Sequence, residues 1–110
     1  MAMLLKSHDA YGIAAQEDRS APRYPLAIAA TLRPSGSTGF QTLVTDLSLS
    51  GFAVRAITHM HPGNLCWLTL PGLGGLQAEV VWNDGNTVGC AFATLLNPAV
   101  LKSIIERRGP

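Results

Sequence analysis

Apolar residues in this chain recur at every second position, in short runs cut off by glycine, proline and asparagine. Leu26, Ile28, Ala30 and Leu32 alternate with less apolar partners until residues 34–39 turn the chain. Residues 40–45 read as a second strand, and Phe52, Val54 and Ala56 as a third. A fourth lies at residues 65–70, between the breaks at residues 59–64 and 71–75. Leu76, Ala78, Val80 and Trp82 alternate next, Asn83-Asp84-Gly85-Asn86 makes a hairpin turn, and Val88, Cys90 and Phe92 alternate on its far side. A two-residue period places one face of each run in a core, so these are half-buried strands. Their spacing of roughly ten residues, with no helical pattern between them, predicts an antiparallel barrel or sandwich, with a sheet that closes on itself.

Only the C-terminal end reads as helix. Asn97 caps it, Pro98 suits the first helical position, and Val100, Leu101, Ile104 and Ile105 form one apolar face, with Lys102, Arg107 and Arg108 away from it. Gly109 and Pro110 stop it. Residues 1–18 show no sustained period and read as a flexible arm or marginal helix ahead of a domain over residues 19–110.

A chain of 110 residues, 47% hydrophobic, has material for one core. Eight Lys and Arg against seven Asp and Glu leave a net charge of +1, which excludes binding DNA or RNA by bulk field; any anion site must be local. Cys66 and Cys90 form no C-x-x-C, which fits a reducing cytoplasm and buried thiols. No apolar run approaches the ~18 residues of a membrane span, and residues 1–5 are too short for a secretory core.

Arg19 and Arg23 stand four apart in a leader that Pro22 and Pro25 keep out of helix. A guanidinium fork suits phosphate oxygens and equally the O6 and N7 acceptors of guanine. The alternative is an ion pair of Arg19 with Glu17 or Asp18 and a solvated Arg23. Between the second and third strands runs Asp46-Leu47-Ser48-Leu49-Ser50-Gly51. Asp46 there can accept from the N1 and N2 hydrogens of guanine beside the Ser48 hydroxyl, while Gly51 permits an unusual backbone conformation and a close approach. Equally, Asp46 and Ser48 can satisfy the backbone donors of their own turn.

Both motifs, R-x-x-x-R at Arg19-Ser20-Ala21-Pro22-Arg23 and [D/N]-x-S-x-x-G at residues 46–51, resemble those of the PilZ domain family, bacterial sensors of cyclic di-GMP. The resemblance spans residues 18–108 and includes Val81-Trp82 followed by Gly89-x-x-Phe92. It implies a mainly β fold, a six-stranded antiparallel β-barrel with a C-terminal helix. It further implies that Arg19 and Arg23 contact the phosphates and guanine edges of the ligand, with Asp46, Ser48 and Gly51 beneath a guanine. The N-terminal loop would wrap the nucleotide and signal to a protein partner. Where many members carry basic residues before the first arginine, Glu17 and Asp18 stand here. The competing reading within the family is an adaptor that binds protein without nucleotide.

Enzymatic readings fail on their residues. Ser48 and Ser50 lack the G-x-S-x-G frame, and Gly72, Gly74 and Gly75 do not make G-x-G-x-x-G. His59 and His61 have no third metal ligand nearby and read as loop residues. Trp82 and Phe92 fall on alternating apolar faces and are expected in the core or barrel wall. No catalysis and no cofactor beyond the ligand are expected.

Overall fold

The computed structural model describes residues 22–55 and 60–108. The arm expected over residues 1–18, together with Arg19, Ala56 and His59, lies outside the described residues. Six strands follow in order: β1 (Tyr24–Pro34), β2 (Phe40–Leu47), β3 (Gly51–Arg55), β4 (Leu65–Thr69), β5 (Gly75–Asn83) and β6 (Thr87–Phe92). Helix α1 (Pro98–Arg108) ends the fold. Every strand pair is antiparallel, and the sheet closes in the order β1-β2-β3-β6-β5-β4, with β4 returning to β1. The expected six-stranded barrel with a C-terminal helix is what forms. Closure removes the unpaired edges an open sheet would expose.

Alternation explains the core. Ile28, Leu32, Val44, Phe52, Val54 and Leu68 point inward and are fully buried. The Phe52 and Phe92 rings meet with centroids 5.2 Å apart at 42°, a tilted contact favoured by the ring quadrupoles. Cys66 and Cys90 are buried free thiols in the same cluster. The Cys90 thiol is pushed far above its ordinary range by hydrogen bonding with Cys66 and by burial, so it stays protonated.

Helix α1 lays Leu101 and Ile104 into this core. Its start is set as the sequence implies: the Ala99 N–H donates to Asn97 Oδ1 at 2.7 Å, satisfying one of the orphan donors of the first turn. Lys102 and Arg107 are exposed on the flanks of that face. No helix among the described residues is long and apolar enough to cross a membrane.

Three β-bulges interrupt the regular pairing, between Pro25 and Ile28, between Val44 and Asp46, and between Val80 and Trp82. Each shifts the inward-outward count by one residue. In β5, Ala78 and Val80 are buried, so an unbroken period would bury Trp82 as well. The bulge turns it outward instead, and Trp82 is 41% exposed: of the expected core or wall positions it takes the wall, on its outer face. Phe92, 1% exposed, is in the core as expected.

Candidate functional site

Asp46 owes its orientation to the β2 bulge. Val44 points inward, and a strict two-residue period would send Asp46 after it, where an unpaired carboxylate is prohibitively costly. The extra residue at the bulge makes Leu47 the next inward side chain and leaves Asp46 on the outer wall. Asp46 is therefore within β2, next to its last residue, and not, as its sequence places it, the start of the turn. The β1 bulge at Pro25, a residue that has no N–H to give to a ladder, brings the leader alongside. Arg23 then donates through Nη2 to Asp46 Oδ1 at 3.0 Å, with the two side chains 37% and 29% exposed. The second arginine of its motif and the acid of the other thus meet at one point on the surface.

Ser48 and Gly51 sit deeper. The Ser48 hydroxyl is fully buried, accepting from the Ser50 N–H at 3.2 Å and the Gly51 N–H at 3.1 Å, while the Ser48 N–H donates to the Gly51 carbonyl at 2.9 Å. These bonds hold the bend that joins β2 to β3. Gly51 has no positive φ, so of the two reasons for a glycine here only close approach applies. A Cβ at this position would overlap the Cys90 carbonyl oxygen of the neighbouring strand.

Pairing across the barrel puts several residues in one lateral row. Pro25 faces Asp46, Asp46 faces Ala53, Ala53 faces Gly89, and Gly89 faces Trp82. Paired residues share a face, so all five belong to the outer wall, with Asp46 and Trp82 roughly 14 Å apart along it at ordinary strand spacing. Between them lie only Ala53 and Gly89. The Trp82 indole lies where a Gly89 side chain would be: a Cβ there would fall within the ring at Cε2 and Nε1. The row has an acid and a guanidinium at one end and an indole at the other, with Ala53 and Gly89 buried between them.

Sequence reasoning did not single out Trp82 for this row, although one signal was present. A glycine inside a strand marks a close approach, and Gly89 is that glycine. Of the five residues expected at the site, Arg23 and Asp46 are in contact, Ser48 and Gly51 shape the bend beside them, and Arg19 lies outside the described residues. Among the described residues no group of three or more His, Cys, Asp or Glu could hold a metal ion.

The PilZ domain family model matches residues 17–107. No curated protein matches the chain. The matched stretch runs from the arginine leader through the barrel into α1, and the chain belongs to the PilZ domain family.

Proposed function

We propose that this domain is a cyclic di-GMP receptor without catalytic activity, which binds the nucleotide on the outer wall between Arg23 and Trp82 and passes occupancy to a protein partner. The observation that carries the reading is the partly exposed Arg23–Asp46 ion pair, which joins a residue of each motif on the outer wall. Arg23 supplies forked donors for a phosphate or for guanine O6 and N7, and Arg19 is assigned the same chemistry four residues earlier. Asp46 accepts from the N1 and N2 hydrogens of guanine. Ala53 puts only a methyl next to the pair, and Trp82, whose indole lies over Gly89, offers a base its outer aromatic face. Ser48 and Gly51 fix the bend that follows Asp46.

Without ligand, Arg23 and Asp46 neutralise one another. An exposed pair of this kind is worth about 0–1 kcal/mol, so exchanging it for nucleotide contacts costs little. Wrapping of the residues around Arg19 and Arg23 is favoured to the extent that the ligand binds the wrapped state more tightly than the unwrapped one.

Calorimetric titration of the full chain with cyclic di-GMP, with GMP and cyclic di-AMP as controls, tests the proposal. Saturable binding of cyclic di-GMP alone supports it. Absence of binding at millimolar nucleotide, or equal binding of all three, contradicts it.

A further inference from the structure

A second surface lies behind the first. An apolar groove of about 510 Å³ runs between the start of β1 and helix α1, with Pro22 and Tyr24 on one wall, Leu49 partly buried in the barrel-side lining, and Leu101 and Ile105 on the helical wall. Lys102 and Glu106, 3.9 Å apart, mark its helical rim. Pro22 and Tyr24 turn toward this groove while Arg23 between them turns to Asp46, as alternation along an extended leader requires. The groove and the Arg23–Asp46 pair are therefore on opposite sides of the same three residues.

The chain itself provides a matching segment. Twenty-one residues precede Pro22, and within them Tyr11, Ile13, Ala14 and Ala15 form an apolar cluster separated from the groove wall by residues 16–21. A linker of this length spans roughly 20 Å when extended, enough to reverse direction and return along a helical wall of about 12 Å. A short tether holds the segment near the groove at an effective concentration on the order of millimolar, so weak apolar contacts suffice. The more distant cluster at residues 1–5 must close a longer loop.

We propose that residues 11–15 of this chain pack into the groove between β1 and α1, with Tyr11 and Ile13 against Leu49, Leu101 and Ile105. The contact is intramolecular, and it does not depend on the nucleotide reading above.

Paramagnetic relaxation in the full chain tests it. A nitroxide is attached through His8→Cys, just ahead of the docking cluster and well away from the tether, the native Cys66 and Cys90 being buried. The amide signals of Leu49, Leu101 and Ile105 are expected to lose at least half their intensity relative to the reduced label. A chain that also carries Tyr11→Ser and Ile13→Ser keeps the tether and should recover that intensity. Equal broadening in both chains, or none in either, overturns the proposal. Mixing labelled chains with isotope-enriched unlabelled ones distinguishes the occupant: broadening that appears only between chains assigns the groove to a second copy and overturns it too.

Discussion

Arg23 and Asp46 are 23 positions apart in sequence and 3.0 Å apart in space, joined across the first two strands of the barrel on its outer wall. A bulge in each of β1 and β2 lies beside the contact. The pair is exposed enough to be exchanged for a ligand, and this separates its structural worth from its binding worth.

Arg23→Ala is expected to weaken cyclic di-GMP binding by about 1–3 kcal/mol, roughly 5- to 150-fold, through loss of forked hydrogen bonds. The urea unfolding midpoint should barely move, because an exposed ion pair contributes at most about 1 kcal/mol. Arg19→Ala is expected to show the same split. Calorimetry and urea titration of each variant check both halves.

The two wall glycines should fail in different ways. Gly51→Ala pushes a methyl into the Cys90 carbonyl oxygen, which is backbone and cannot step aside, so destabilisation of about 1–3 kcal/mol or more is expected. Gly89→Ala meets first the Trp82 indole, a surface side chain that can swing out. Its barrel should stay near wild-type stability while tryptophan emission changes and nucleotide affinity falls. Thermal unfolding and fluorescence titration distinguish the two.

Asp84 predicts an acid limb in stability. Its Oδ1 accepts from the Asn86 N–H at 2.9 Å and the Thr87 N–H at 2.8 Å, and these backbone bonds hold its carboxyl below the ordinary 3.8. A group depressed on folding stabilises above its unfolded value, and that contribution fades as pH falls from about 3.8 through the lower folded value. Asp84→Asn keeps an acceptor and removes the titration, so its unfolding midpoint should depend less on pH below 3.8 than that of the parent.

Both thiols should be silent in the folded protein. Cys66 and Cys90 are enclosed by the barrel, and the Cys90 thiol is held protonated by hydrogen bonding with Cys66 and by burial. A thiol-reactive chromophore is expected to label neither in native buffer and both in denaturant. Rapid native labelling would contradict the packing.

The strands were legible because burial imposes a period of two, and Ile28, Val44, Val54 and Phe92 all obey it. The cap at Asn97 was legible because its chemistry is local. What remained hidden depends on bulges. Thr45 and Val81 carry no mark that an extra residue is inserted there, since neither is glycine and no described non-glycine residue has a positive φ. Asp46 could therefore be named from its motif but not aimed, and Trp82 could be placed in the core or wall but not on its outer face. The buried bonds of Ser48 were one of two open readings, and only the folded turn shows its hydroxyl engaged with Ser50 and Gly51.

The most direct measurement is a heteronuclear NMR titration of the full chain with cyclic di-GMP. Saturable shifts are expected at the amides of Arg23, Asp46, Ala53 and Gly89 and at the Trp82 indole N–H. The Trp67 indole, stacked under Arg33 at 4.5 Å, should stay fixed. An unchanged spectrum at millimolar nucleotide, or shifts confined to residues outside the Arg23–Trp82 row, would contradict the account.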